Sequence, residues 1–213
     1  MVNLMFYQEE MEQSQNVLFH QGHLLVAALW IGYYALHSVL ASRKVKASIF
    51  ARFPGVERYY RIIYNVLAVL LILPILLAGA VIQGPRLLPE NDALRYLAMF
   101  FATWGVILIR LTFKVHSFRS FAGFDRPDSE NAKLLREGIL GMIRHPMYAG
   151  GLLIVIGYGL FAPTVTNLII CVISAIYIFI GIGIEEKRLT AIFGEPYLTY
   201  KKEVPALIPR FRF

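Results

Sequence analysis

Five apolar segments constrain this chain more than any other feature of its sequence. A transmembrane helix needs about 20 mostly apolar residues to cross the hydrocarbon core of a bilayer. One segment is shorter, since its 16 residues rise about 24 Å against a core about 30 Å thick. The segments lie at about 17–40, 62–82, 96–113, 147–162 and 165–184. The sequence therefore predicts an all-α, polytopic integral membrane protein with about five transmembrane helices.

The composition fits a membrane protein and argues against soluble classes. Hydrophobic residues make up 57% of the chain and charged residues 16%, whereas about 25% of a typical soluble protein is charged. The formal net charge is +7, which in so apolar a chain is typical of cytoplasmic loops rather than of a nucleic-acid-binding module. The single cysteine, Cys171, excludes an internal disulfide, and its apolar surroundings predict a small buried residue.

The distribution of Lys and Arg predicts the orientation in the membrane. Only two of the 21 basic residues, Arg86 and Arg95, fall on the face that holds the second loop and the hairpin turn. The others lie in the first loop, beside and after the third segment, and in the C-terminal segment. Because cytoplasmic loops carry an excess of basic residues, we expect the N-terminus outside and the C-terminus in the cytoplasm, in a bacterial or archaeal inner membrane.

The chain is expected to form one membrane domain over 1–213. Residues 1–113 would hold three N-terminal spans, and residues 138–213 a helical hairpin with a C-terminal segment. Glu9, Glu10 and Glu12 stand where a secretory leader would need positive charge, so no leader is expected.

Polar residues concentrate in two stretches that flank the last two apolar segments. One is Arg-His-Pro-Met-Tyr-Ala-Gly-Gly from Arg144, and the other is Glu-Glu-Lys-Arg-Leu from Glu185. The short turn between the segments predicts an antiparallel hairpin that brings both stretches to one depth. Paired carboxylates there can hold a cation, free backbone N–H groups at the helix start can receive an anion, and Gly150 and Gly151 allow a flat ligand or another backbone to approach.

A purely structural interpretation exists for each of these residues. Arg144 and His145 would be interfacial anchors, Tyr148 would belong to an aromatic belt, and Glu185 and Glu186 would face solvent beside the next basic residues. Their convergence across one hairpin favours a ligand site, and a ligand with a carboxylate, an ammonium or sulfonium and a flat ring suits this mixture.

The same residues resemble a known family. The patterns are Arg-His-Pro-x-Tyr-x-Gly from Arg144, Glu-Glu-x-x-Leu from Glu185, Phe-Gly-x-x-Tyr-x-x-Tyr from Phe193 and a Val-Pro ending from Val204. Together they resemble the isoprenylcysteine carboxyl methyltransferase family, which belongs with the membrane phospholipid methyltransferases. The likeness covers about residues 138–210. His37-Ser38 in the first segment and the run from Arg43 to Lys46 are also similar to small bacterial relatives of this family, including methanethiol S-methyltransferases.

The resemblance implies methyl transfer from S-adenosylmethionine at the cytoplasmic face, where this cofactor is made. An apolar or amphipathic acceptor is expected: a small or lipid-like thiol, or a prenylcysteine carboxylate. The sulfonium is already activated, so positioning and water exclusion are the main tasks, and no catalytic base or metal is assigned. His37 is a candidate residue for lining the path by which the acceptor enters. The cofactor-binding residues implied are Arg144, His145, Tyr148, Gly150, Glu185, Glu186, Tyr197 and Tyr200.

Two other functions are compatible with parts of the sequence. Membrane sterol reductases share a similar C-terminal arrangement and bind NADPH, but they usually lack the Pro after Arg-His and have more spans. A small transporter or scaffold would draw attention to His20 and His23, which share a helix face and offer two metal ligands. An interfacial histidine pair is the favoured interpretation there.

Overall fold

The computed structural model describes residues 2–115, 117–119 and 133–209, with side chains from residue 21 onward. Helices make up nearly all of these ranges, and the one β-type pairing within them is a bridge between Arg86 and Thr164. The predicted all-α class is confirmed. The elements are α1 (Val2–Ala41), α2 (Arg43–Arg52), α3 (Glu57–Val81), α4 (Asp92–Val115), a 3₁₀ turn (Gly138–Gly141), α5 (Pro146–Phe161), α6 (Val165–Phe193) and α7 (Glu195–Glu203).

Four helices are long and apolar enough to cross a membrane: α3, α4, α6 and the part of α1 from Gln21 onward. Helix α5 is apolar but has only 16 residues. The set agrees with the expected count of about five, including the short fourth span. Helix α6 runs on past the predicted span end at residue 184, because no helix breaker occurs before Gly194, whose φ is +59°.

The apolar helices form a series of neighbours. Helix α3 packs on α1, α1 on α6, α6 on α5, and α5 on α4. A buried cluster of Val26, Trp30, Ile75 and Ile170 joins α1, α3 and α6. Large apolar side chains cover the outer faces of these helices, as a surface that meets lipid tails requires. Helix α6 thus stands between the N-terminal helices and the α4–α5 pair.

Small residues let α4 and α5 come together closely. A Cβ added to Gly105 or to Gly150 would lie 2.6 Å from the carbonyl oxygen of the other glycine. Two turns along, a Cβ on Gly157 would lie 2.7 Å from the carbonyl oxygen of Ala98. Residue numbers rise on one helix as they fall on the other, so the pair is antiparallel, and its packing is of the small-residue kind found between membrane helices.

The predicted hairpin of α5 and α6 is present, and polar side chains fix its turn. Thr164 accepts a bond from the Asn167 N–H at 3.2 Å, and the Asn167 amide donates to the Ala162 carbonyl at 2.6 Å. The Tyr158 hydroxyl donates to the Asn167 side chain at 2.9 Å. These bonds satisfy turn groups that would be costly to leave unpaired at the end of an apolar hairpin. The start of α5 and the end of α6 therefore lie side by side.

Candidate functional site

The start of α5 is joined to the C-terminal segment. The Arg144 N–H donates to the Pro205 carbonyl at 2.9 Å, and the His145 N–H donates to the Ala206 carbonyl at 3.0 Å. Pro146 then opens the helix, where its missing N–H costs nothing. No side chain in the described part of the chain caps this first turn. Two distant pieces of sequence thus meet where the motif residues stand.

Arg144 is a buried cation held by the C-terminal segment and by α6. Its side chain is 7% exposed, and its guanidinium lies 2.5 Å from a Glu186 carboxylate oxygen. It also donates to the Lys201 carbonyl at 3.0 Å and to the Val204 carbonyl. A planar guanidinium with several fixed donors suits such a set of acceptors. Arg144 therefore connects α5, α6 and the end of α7.

The Glu186 carboxylate is the common partner of Arg144, His145 and Lys201. Besides Arg144, the Lys201 ammonium lies 2.5 Å from its second oxygen, and His145 Nε2 lies 3.3 Å from the first. The Glu186 side chain is 13% exposed. Because both oxygens already have charged or polar partners, Glu186 serves to hold this corner of the protein together.

Glu185 has a different environment from that of its neighbour. Its side chain is 39% exposed, and its carboxylate lies 3.9 Å from His145 Nδ1. The Tyr148 ring makes an edge contact with the same His145 ring at 5.8 Å. The Tyr148 ring covers Gly181, where an added Cβ would lie 3.3 Å from it. Of the two adjacent glutamates, Glu185 has the more exposed side chain and Glu186 the more buried one.

Tyr197 and Tyr200 form the buried core of α7. They are 1% and 3% exposed, and their rings lie 5.9 Å apart. The Tyr200 hydroxyl donates to the Leu140 carbonyl at 2.6 Å, and the Arg136 guanidinium lies over its ring. Burial raises the pKa of Tyr200 to about 12, so its hydroxyl stays a donor at neutral pH. The two tyrosines tie α7 to the segment before α5.

Gly150 lies away from Glu185 and against α4. The sequence allowed either a ligand or another backbone beside it, and the structure brings the backbone of Gly105 there. The Gly105 carbonyl and the Ile109 side chain take up the space around it. Gly150 thus packs in the α4–α5 seam, and its contact with a cofactor stays a prediction.

His37 lies on α1, apart from the motif residues. Its Nε2 is 2.6 Å from the Tyr64 hydroxyl on α3, and its ring makes an edge contact with Tyr177 on α6 at 6.4 Å. The other histidine described on α1, His23, is buried near Thr166 at 3.3 Å. The side chain of His20 lies outside the described residues. Within the described residues, no three potential metal ligands come together.

Sequence reasoning missed several residues that build this corner. Lys201 and the Val204 carbonyl complete the surroundings of Arg144 and Glu186, and the Leu140 carbonyl receives Tyr200. Their partners are 15 to 60 positions away in the chain, so no local pattern connects them. A lysine on a short helix next to two tyrosines is, from sequence alone, an ordinary surface charge.

Comparison with known proteins gives the class to which this fold and site belong. The profile of the phospholipid methyltransferase family matches residues 94–196, which include α5, α6 and the glycine seam with α4. The chain is 30% identical over 198 residues to a methanethiol S-methyltransferase from Crocosphaera subtropica, covering 87% of this chain and 74% of that protein. It belongs to the isoprenylcysteine carboxyl methyltransferase-like family of membrane methyltransferases, and it is a methyltransferase.

Two further relatives carry the same name. The chain is 35% identical over 120 residues to the methanethiol S-methyltransferase of Pseudomonas deceptionensis, covering 54% of this chain and 45% of that protein. It is 28% identical over 200 residues to methanethiol S-methyltransferase 1 of Bradyrhizobium diazoefficiens, covering 88% and 66%. The matched part of the chain thus covers between 45% and 74% of the length of these relatives. The family favours methyl transfer over the reductase and transporter interpretations.

Proposed function

We propose that this protein transfers a methyl group from S-adenosylmethionine to a small thiol at the cytoplasmic edge of a bacterial or archaeal inner membrane. The observation that carries the proposal is the environment of Glu185. It combines a partly exposed carboxylate, the His145 ring 3.9 Å from it and the Tyr148 ring beside His145, where the first turn of α5 meets α6. The relatives named above supply the thiol as the acceptor class.

The residues present fit this methyl donor. Glu185 offers a carboxylate for its ammonium group, and the uncapped first turn of α5 offers backbone N–H groups for its carboxylate. The Tyr148 ring beside Gly181 supplies a flat apolar wall. When bound, the donor supplies an activated methyl carbon. The protein's own residues bind it, orient it and exclude water.

The arrangement divides the implied cofactor residues into two groups. Glu185, Tyr148 and His145 would contact the donor. Arg144 and Glu186, together with Tyr197 and Tyr200, would position those residues by docking the C-terminal segment against the hairpin. Only the first group then changes binding directly when it is substituted.

The test is calorimetric binding of S-adenosylmethionine and S-adenosylhomocysteine to detergent-purified protein. Glu185→Gln keeps the shape and removes the charge, so binding should weaken by about tenfold or more, the worth of a charge-assisted hydrogen bond. Melting of the same variant checks that it is folded.

The neighbouring Glu186→Gln is the matched comparison. It should lower thermal stability, because it leaves Arg144 and Lys201 without their common anion. Normal donor binding by both variants would contradict the assignment of this site, and no binding by folded wild-type protein would contradict the proposed function.

A further inference from the structure

A narrow cleft between α1 and α3 contains a polar pair that the donor site does not use. Most of its wall is leucine and alanine, and its polar members are Tyr33, His37 and Tyr64. The rings of Tyr33 and Tyr64 lie 5.8 Å and 4.8 Å from the His37 ring. Because the cleft is mostly apolar, each ring nitrogen of His37 has few possible hydrogen-bond partners there.

One nitrogen has a partner and the other has none. His37 Nε2 lies 2.6 Å from the Tyr64 hydroxyl, whereas Nδ1 is buried without a hydrogen-bond partner among the described residues. Leaving a buried polar atom unpaired is costly. A group that binds in the cleft and donates a proton to Nδ1 would remove this cost.

The contacts of Tyr64 allow the tautomer in which Nδ1 is an acceptor, because the hydroxyl can accept from Nε2–H while it donates to a second group. The Tyr64 hydroxyl also lies 3.3 Å from the His37 carbonyl oxygen, to which it donates. A hydroxyl has one proton, so when that proton goes to the carbonyl, the short contact with Nε2 is made by the Nε2–H. The lone pair of the imidazole is then on Nδ1.

A stripe on α6 connects this cleft to the donor site. Tyr177, Gly181 and Glu185 are spaced four residues apart and so share one helix face over about 12 Å. The Tyr177 hydroxyl receives a bond from Ser38 at 3.2 Å, next to His37, and the Tyr177 ring lies 6.4 Å from the His37 ring. The stripe therefore runs from a ring beside His37 to the carboxylate of the donor site.

We infer that the α1–α3 cleft is the acceptor site and that His37, oriented by Tyr64, takes the proton of an acceptor thiol. This inference rests on the proposed function. The S–H bond breaks as the proton passes to Nδ1, and the sulfur electron pair forms a bond to the donor's methyl carbon. The bond between that carbon and the donor's own sulfur breaks at the same time. The products are a thioether, the demethylated donor and an imidazolium that returns its proton to solvent.

The cleft suits a small alkyl thiol in particular. The leucine and alanine walls receive an alkyl group, while the S–H, a weak donor, bonds to His37 Nδ1, which has no partner among the described residues. The faces of Tyr33 and Tyr64 also favour the positive charge that His37 acquires. An alkyl thiol is mostly un-ionised at neutral pH, so removing its proton is the step in which a base helps most.

The test compares two acceptors that differ in acidity. Methanethiol needs a base, whereas hydrogen sulfide is smaller and largely ionised in mildly alkaline buffer. In His37→Gln, kcat/KM for methanethiol should fall by about 100-fold or more, the ordinary contribution of a general base, and by less than about tenfold for hydrogen sulfide. Tyr64→Phe should show the same pattern with a smaller loss, and S-adenosylhomocysteine binding should be unchanged in both.

Tyr60→Phe is the matched control. It lies one turn before Tyr64, and its hydroxyl also bonds an α1 carbonyl, that of Leu40 at 2.8 Å. It should leave both acceptors unaffected. Equal losses for the two thiols in His37→Gln, or no loss, would overturn the inference. Wild-type protein that binds the donor but methylates neither thiol would also overturn it while the donor site stands, whereas absent donor binding would be a failure of the proposed function.

Discussion

At the scale of single residues, Arg144 joins the start of α5 to α6 and to the C-terminal segment. Its buried guanidinium reaches Glu186 and two backbone carbonyls of the C-terminal segment. Arg144→Lys keeps the charge but loses the planar donor fork. At least one acceptor is then left unpaired, at about 1–3 kcal/mol. We expect a lower melting temperature and weaker donor binding, measured on detergent-purified protein.

Lys201→Met is the comparison for that substitution. It removes a second cation beside Glu186, but this lysine side chain is 46% exposed. Exposed pairs contribute less than about 1 kcal/mol, so the loss of stability should be clearly smaller. Equal losses in the two variants would contradict the role given to Arg144.

The sequence predicted that the motif residues meet, but it did not separate their roles. Neighbours such as Glu185 and Glu186 point about 100° apart on a helix, as 3.6 residues per turn requires. Which of them faces Arg144 depends on how α6 rotates against α5 and α7. That rotation is set by distant contacts, and the partner Lys201 carries no local signal. The resemblance therefore named residues that do lie beside Glu186. It did not distinguish a glutamate that pairs with Arg144 from one with a more exposed carboxylate.

At the scale of helices, the α4–α5 seam is the contact that most depends on residue size. Gly105→Ala would place a Cβ 2.6 Å from the Gly150 carbonyl oxygen. Because this neighbour is backbone, it cannot move aside cheaply, and overpacking of this kind costs about 1–3 kcal/mol. The variant should unfold at a lower temperature in detergent.

Gly32→Ala is the same substitution on another membrane helix. No atom of the described residues outside the local helix backbone lies within 4 Å of the Cβ it would add. Alanine is the better helix former by about 1 kcal/mol, so its stability should stay the same or rise. A Gly105→Ala variant as stable as Gly32→Ala would contradict the close seam.

The helices also show where apolar periodicity stops being informative. Length and hydropathy predicted α3, α4 and the α5–α6 hairpin, because a membrane helix must bury a nearly continuous apolar run. The short polar helices α2 and α7 have no such run. The extension of α6 past residue 184 is polar as well, and only the absence of a breaker before Gly194 marks it.

At the scale of the whole molecule, the orientation remains a prediction from the basic residues. It can be measured because Cys171 is the single cysteine. In a Cys171→Ser background, Leu88→Cys reports on the loop between α3 and α4, and Lys44→Cys reports on α2. We expect a membrane-impermeant maleimide to label the first in intact cells and the second only after lysis.

Labelling after lysis of both variants is the internal control, since both positions are exposed. The reverse pattern in intact cells would put Glu185 on the outer face, away from cytoplasmic S-adenosylmethionine. This result would contradict the proposed cytoplasmic location but would not bear on which residues form the donor site. Labelling of both in intact cells would contradict the span count.

The docking of the C-terminal segment on Arg144 also sets an order of events during synthesis. The ribosome makes Arg144 57 residues before Lys201 and 60 residues before Val204, whose carbonyls receive the guanidinium. The two carbonyl contacts of Arg144 therefore cannot form until Val204 has been made, well after the motif itself. A nascent chain halted before Val204 carries the whole α5–α6 hairpin while its arginine lacks one of these acceptors.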